Sequence, residues 1–305
     1  MKKTFFIFVL FVNYSFLNAN TDQPYNAIVP YQSLPAPSKP AAQEGAFLVL
    51  ENPSDSGMFA VFNSVLGALN LYEQGLYSGL KIDLNSGRYL DLAEGTNWWE
   101  YFFEPIHFGN EEAPKHYFSL AEYMHLALID CPQDRNRAFN LIQKYVHLKV
   151  PLREELDAFV HHHFANRFVI GVHHRGTDKI LEVPVVSYEK TLRTLLQIIK
   201  KLPKPEKRVL SIFVATDDQH FLSYLQAHLP YPIIYNNFVR SIDGTALHAY
   251  QTGFYSNNYQ MGKEALFDCV MLSKCNILVR PGSSGLSWIS SCFNPNIPVY
   301  NLQGD

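Results

Sequence analysis

Apolar runs and amphipathic stretches alternate along the second half of this 305-residue chain. The apolar runs are short and continuous, as is typical of strands buried on both faces of a sheet, and they occupy 168–172, 209–215, 232–235, 277–279 and 297–300. Between them, apolar residues recur at helical spacing around 187–201, 221–225, 261–273 and 286–292. Strands that alternate with helices in this way predict an α/β fold with a doubly wound parallel sheet.

The first half carries one similar unit, in which an apolar strand at 47–50 is followed by a turn, an amphipathic helix to Tyr72 and a strand at 80–84. The aromatic stretch 98–103 offers ring faces for a sugar, but we expect it to fill a core. Residues 133–164 have helical spacing broken at Pro151. We therefore expect two domains, 45–165 and 166–305, bridged by this helical region.

The amino terminus differs from the rest of the chain. Two lysines, Lys2 and Lys3, precede an apolar run that begins at Phe5, and Ala19 stands before a polar segment. This layout predicts a signal peptide over residues 1–19 and export through the secretory pathway, with an uncleaved membrane anchor as the alternative. Residues 20–44 contain five prolines and are expected to form an extended linker.

Composition narrows the class of partner. The chain is 47% hydrophobic and 17% charged with a net charge of −3, and it has no long basic run, so a small molecule is favoured over nucleic acid or an anionic membrane. Its four cysteines, Cys131, Cys269, Cys275 and Cys292, show no metal-ligand spacing, and their pairing stays open. The triplet 161–163 is all histidine, but adjacent helical residues point in different directions, so we expect no metal there.

Charged residues follow the strand at 168–172 directly, in the segment 171–179. Ligands of doubly wound sheets bind at the carboxyl ends of the strands, so we expect His173, Arg175, Asp178 and Lys179 to face a ligand. The planar guanidinium of Arg175 suits a diphosphate because it donates two hydrogen bonds to adjacent oxygens. An internal Arg175–Asp178 ion pair is the structural alternative.

Two further strand exits carry polar residues. Asp217 and Asp218 follow the strand at 209–215, where one of them is expected to cap the next helix, and a divalent metal site is the alternative. The turn 282–285 places Ser283 and Ser284 between glycines at a helix start, which resembles a small anion cradle.

Three blocks of the chain resemble the fucosyltransferase-like enzymes, the group of the α1,6- and protein O-fucosyltransferases and the rhizobial nodulation fucosyltransferase. The blocks are the H-x-R-x-T-D-K segment at 173–179, Ala-Thr-Asp-Asp at 215–218, and the stretch from Asp268 to Ser284. The resemblance covers about residues 166–300. It departs from the α1,6 enzymes at Gly176, where they carry a second arginine.

The resemblance implies a GT-B-like fold of two Rossmann-like domains, inverting transfer without a metal or other cofactor, and GDP-fucose held by the carboxyl-terminal half. It places Arg175 on the β-phosphate, His173 and Asp268 on guanine, and Ser284 on the phosphates. The remaining donor-site residues are expected to be Asp178, Asp217, Asp218 and Ser283. Glu182 would be the general base and Lys179 its neighbour in the catalytic set.

The function that these expectations describe is fucosyl transfer from GDP-fucose, or a related GDP-sugar, to a glycan or glycoprotein acceptor. The competing interpretation is an exported sugar- or nucleotide-binding protein that keeps the fold without turnover.

Overall fold

The computed structural model describes residues 45–51, 56–117, 128, 131–176, 186–247, 257–282 and 284–303, all within one compact unit. The predicted signal peptide 1–19 and linker 20–44 lie outside the described residues. In the part of the chain that is described, no helix is long and apolar enough to cross a membrane.

The first sheet has four strands in the order β3-β2-β1-β4. Its elements in chain order are β1 Phe47–Glu51, α1 Met58–Glu73, β2 Gly79–Asp83, α2 Trp99–Phe102, β3 His107–Gly109 and β4 Lys115–Tyr117. Strand β1 pairs in parallel with β2 and β4, whereas β3 is antiparallel to β2. The predicted unit β1-α1-β2 is confirmed.

Two helices, α3 Pro132–Tyr145 and α4 Val150–His163, follow the first sheet. The sequence placed the break in this helical region at Pro151, but the interruption comes earlier, at 146–149. Pro151 lies in the first turn of α4, where the missing N–H has no intrahelical partner to lose.

The second sheet has five parallel strands in the order β7-β6-β5-β8-β9, which confirms the predicted doubly wound arrangement. Its elements in chain order are β5 Phe168–His174, α5 Tyr188–Lys201, α6 Lys204–Arg208, β6 Leu210–Thr216, α7 Gln219–His228, β7 Ile233–Ile234, α8 Asn258–Ser273, β8 Ile277–Arg280, α9 Gly285–Phe293 and β9 Val299–Asn301. The strand order reverses between β5 and β8, and such a switch point opens a crevice at the carboxyl edge of a sheet.

The aromatic stretch lies in the core, as predicted. Trp98, Trp99, Phe102 and Phe103 are each at most 1% exposed. The ring of Phe102 stacks on Tyr259 of α8 with centroids 5.4 Å apart, so one apolar cluster joins residues before and after position 165. The domain boundary at 165/166 stays a prediction.

Helix α8 packs unusually close to strand β5. A Cβ atom added at Gly171 would lie 2.8 Å from the Sγ atom of Cys275, and only glycine leaves that space. Cys275 is a buried free thiol, as is Cys269. The close contact holds the end of α8 against β5, the strand that precedes Arg175.

Candidate functional site

The carboxyl ends of three strands bring polar residues, among them the predicted Arg175, Asp217 and Asp218, to one edge of the second sheet. Arg175 and Gly176 follow β5, Asp217 and Asp218 follow β6, and Arg280 ends β8. Because β5 pairs in parallel with both β6 and β8, these exits are neighbours. The structure thus places the Arg175 segment beside the acidic pair, as the sequence predicted.

The backbone after β5 is held to the exit of β6. The N–H of Gly176 donates to Oδ1 of Asp217 at 2.9 Å. A Cβ atom at position 176 would lie 2.6 Å from Oδ2 of Asp218, closer than carbon and oxygen approach without bonding. Position 176 therefore has no room for a side chain while Asp218 keeps this position.

Asp218 is the residue of the pair that caps a helix. Its Oδ1 accepts from the N–H groups of His220 and Phe221, at 2.8 and 3.3 Å, at the start of α7. Its Oδ2 accepts a hydrogen bond from the hydroxyl group of Tyr188, which lies in the first turn of α5. With both oxygens engaged by the protein, Asp218 is a support of the loop rather than a group turned toward a ligand.

Tyr188 is a supporting residue that the sequence did not reveal. Burial, followed by its hydrogen bond to Asp218, raises the pKa of this phenol, so Tyr188 keeps its proton and acts as the donor. The two residues are 30 positions apart, and their contact depends on how α5 and α7 pack against the sheet.

The adjacent histidines His173 and His174 face opposite sides of the sheet, because side chains alternate along a strand. His174 is 3% exposed, stacks on Phe221 with centroids 4.0 Å apart, and has Nε2 3.9 Å from Oδ2 of Asp218. Burial lowers its pKa, which favours the neutral ring. His173 is also buried and lies on the other face, the face that α8 covers with Leu272 against Gly171.

The predicted guanine ligand Asp268 lies on α8 beside the segment that follows β7. Its Oδ1 accepts from Nδ2 of Asn236 at 2.7 Å. Burial raises the pKa of Asp268 to about 7, an effect that the Asn236 hydrogen bond and the charge of Arg240 oppose. The negative charge of Glu264, one turn earlier on α8, adds to the increase.

Hydrogen bonds also hold the segment that follows β7 in place. Arg240 donates to the carbonyl oxygens of Asn236 and Phe238, at 2.6 and 3.1 Å, and the N–H of Val239 donates to Glu264. Sequence reasoning named the exits of β5, β6 and β8 but left out this one. The polar residues that follow the strand at 232–235 were the signal that would have found Asn236 and Arg240.

Ser284 lies directly before α9 and is 2% exposed. Within the described residues, its Oγ is buried and has no hydrogen-bond partner, and it does not cap the helix. A buried hydroxyl without a partner costs free energy, so its position at a helix amino terminus agrees with the predicted binding of an anion.

Four predicted site residues, Asp178, Lys179, Glu182 and Ser283, lie outside the described residues. The histidine triplet is placed on α4, where His161 and His162 are exposed and His163 lies against Phe159. Among the side chains that the structure describes, no group of three or more His, Cys, Asp or Glu is placed to hold a metal ion.

Comparisons with known proteins find similarity in structure. No family model matches the chain, and neither does any curated protein sequence. The NodZ α1,6-fucosyltransferase co-crystallised with GDP is similar with a TM-score of 0.55 at 17% identity, over 84% of this chain and 94% of NodZ. NodZ from Bradyrhizobium gives the same TM-score and identity over 84% of this chain and 96% of that one.

POFUT1 in complex with GDP is similar with a TM-score of 0.51 at 11% identity, over 86% of this chain and 99% of POFUT1. These likenesses cover more than four fifths of this chain. The chain therefore has the GT-B-like α/β fold of these fucosyltransferases.

Proposed function

We propose that this chain is an inverting, metal-independent glycosyltransferase that moves fucose from GDP-fucose to a hydroxyl group of a glycan or protein. The observation that carries the proposal is a fucosyltransferase-like fold in which Arg175 follows β5 and Ser284 precedes α9, next to the carboxyl ends of two neighbouring strands of the doubly wound sheet. NodZ was soaked with GDP-fucose, and POFUT1 was crystallised with GDP.

Asp268 supports the nucleotide part of the proposal. Guanine presents a row of N–H donors, and a carboxylate accepts from them whereas the matching edge of uracil offers a different pattern. Asn236 engages one oxygen of Asp268, which orients the carboxyl group and leaves the second oxygen for the base. His173, buried on the sheet face that α8 covers, is the proposed second contact to guanine.

Arg175 and the start of α9 support the diphosphate part. As the bond between the anomeric carbon and the β-phosphate oxygen breaks, negative charge grows on the β-phosphate. A guanidinium at Arg175, the Ser284 hydroxyl and the N–H groups at the start of α9 stabilise that charge, as preorganised donors do in other transferases.

The acceptor completes the reaction. Its hydroxyl oxygen attacks the anomeric carbon from the side opposite to the leaving diphosphate, and the hydroxyl proton passes to a base, for which we propose Glu182. The products are the fucosylated acceptor, GDP and one proton. Lys179, three positions before Glu182 in the sequence, is proposed to add positive charge near the leaving group, and no step in this scheme uses a metal ion.

Purified protein supplied with GDP-fucose and a panel of glycans and glycoproteins tests the proposal. We expect GDP release coupled to fucosylated product, undiminished by excess EDTA, and GDP binding that UDP does not match in a calorimeter. Equal affinity for GDP and UDP would contradict the assignment of a GDP-sugar as the donor. Tight GDP binding without turnover on any acceptor would instead identify a nucleotide-binding protein, and activity restored only by manganese or magnesium would reverse the claim of metal independence.

A further inference from the structure

We propose that Arg280 supplies a second guanidinium to the diphosphate of the donor, across the crevice from Arg175. This inference rests on the proposed function, because it assigns a residue to the diphosphate part of that site. Nothing in the sequence patterns pointed to Arg280, which stands at the end of an apolar strand run at 277–279.

Arg280 lies at the switch point of the second sheet. It is the last residue of β8, which pairs directly with β5, and the register places Val279 opposite Val172. The next positions along both strands are therefore Arg280 and His173. Alternation puts both side chains on the same face, because Val172 and Val279 belong to the apolar cluster on the other face.

The burial of Arg280 is the second observation. The residue is 3% exposed, so its positive charge lies in a medium of lower dielectric constant than water, where its attraction to an anion is stronger. Ligands of doubly wound sheets bind at the carboxyl edge, which is where this charge lies. A diphosphate supplies oxygens in the number and geometry that five N–H donors can engage.

The adjacent turn points to the same ligand. Ser284, four residues after Arg280, has its buried hydroxyl without a partner among the described residues, and it precedes the nine-residue helix α9. A hydroxyl donor, a helix amino terminus and a guanidinium thus occur within one strand-turn-helix unit. Each of the three is a donor group suited to phosphate oxygens.

The segment after β5 does not itself supply a second positive charge next to Arg175 at position 176. Position 176 has no room for a charged side chain while Asp218 keeps its present position beside the Cα atom of Gly176. Arg240 is bonded to backbone carbonyl groups beside Asp268, on the nucleotide side of the crevice. In the part of the chain that the structure describes, Arg175 and Arg280 are the arginines at the exits of β5 and β8, on the two sides of the switch point.

Calorimetric titration with inorganic pyrophosphate and with GDP tests Arg280 in the full chain. We expect Arg280→Gln to weaken both ligands about 10- to 100-fold, the range for losing a hydrogen bond to a charged group, and Arg280→Lys to fall in between. Arg208→Gln is the matched control, since Arg208 is an exposed arginine near the amino edge of the same sheet. It should bind both ligands like the wild type.

Guanosine separates contact with the diphosphate from a merely structural role. If Arg280 touches the diphosphate, Arg280→Gln lowers the ratio of GDP to guanosine affinity; an equal loss for both ligands would overturn the inference. Should that variant fail to fold, a crystal structure of the wild type with GDP decides, with an Arg280 nitrogen expected about 3 Å from a phosphate oxygen and a separation beyond about 5 Å contradicting it.

The two proposals fail separately in these measurements. A wild-type protein that binds pyrophosphate through Arg280 but does not prefer GDP to UDP would refute the guanine donor and keep this inference. If the wild-type protein prefers GDP to UDP but Arg280→Gln binds pyrophosphate and GDP as tightly as the wild type, the guanine donor stands and the role of Arg280 is refuted.

Discussion

Asp268 is a carboxyl group whose pKa burial raises from its ordinary value to about 7. Below that pH the group takes up a proton and no longer accepts freely from guanine N–H groups, so GDP affinity should fall as pH decreases. We expect a loss of about tenfold per pH unit below pH ~7 and a plateau above it. Calorimetry between about pH 5 and 8 measures this slope.

The Asp268→Asn variant is the control for that slope. Its side chain cannot ionise, so the part of the pH slope that Asp268 causes should be absent from its pH profile. At pH ~8 the loss of the carboxylate should weaken GDP by roughly 1 to 3 kcal/mol, the cost of leaving buried donors without a full partner. A wild-type profile identical to that of Asp268→Asn would show that Asp268 does not bind the base.

Substitutions at Arg175 and at Glu182 should have different effects on turnover and on GDP affinity. Lysine at position 175 keeps the charge but loses the planar pair of donors, so Arg175→Lys should lower kcat by about 10² or more and weaken GDP. Glu182→Gln should slow sugar transfer and leave GDP affinity intact, since a base acts on the acceptor hydroxyl. Steady-state kinetics beside GDP titrations make the distinction, and near-normal turnover by Arg175→Lys would remove the leaving-group role.

Among whole elements, the exits of β5 and β6 behave as one unit because Asp217 accepts from the N–H of Gly176. We expect Asp217→Ala to free the segment that carries Arg175 and to weaken GDP about 5- to 20-fold, in keeping with one lost charge-assisted hydrogen bond. Asp217→Asn keeps an oxygen acceptor and should retain most of the affinity. Equal GDP affinity of the two variants would show that the hydrogen bond from Gly176 to Asp217 does not control GDP binding.

The elements that the sequence predicted well are those buried on both faces. The runs that became β5, β6 and β8 are continuously apolar and match their final bounds to within two residues at either end. Strands β3 and β4 have three residues each, with exposed ends, so no periodicity could reveal them. Helix α2 was hidden because four residues are too few to show a helical period.

The positions of most candidate residues could be predicted from the topology, which brings them to strand ends. His173, Arg175, Asp217, Asp218 and Ser284 were chosen by the rule that ligands bind at carboxyl ends, and Asp268 by the resemblance alone. Asn236 follows β7, which has only two residues, and Tyr188 reaches Asp218 through the packing of two helices. Contacts of this second kind depend on tertiary geometry, which one-dimensional patterns do not contain.

At the scale of the whole molecule, one apolar core connects the two sheets through α8. A Cβ atom at Gly262 would lie 2.9 Å from both Met58 and Phe102 of the first half. We expect Gly262→Leu to destabilise the chain by about 1 to 3 kcal/mol through overpacking, and to lower a single calorimetric unfolding transition.

Gly57→Ala is the control for overpacking, since a Cβ atom there meets nothing within 4 Å. Its transition should stay close to that of the wild type, apart from a small change at the start of α1. Two separate transitions in Gly262→Leu, with only one of them shifted, would show that the halves unfold independently.

The contact between Gly176 and Asp218 also constrains the order in which the sequence can change over evolutionary time. A larger residue at 176 meets three atoms of the Asp218 side chain, so it fits only if that side chain takes another position. Such a move takes the carboxylate away from the Tyr188 hydroxyl and from the N–H groups at the start of α7. A lineage that acquires a second charged side chain at 176 must therefore also change how α5 and α7 are held at this edge of the sheet, so the two changes are linked.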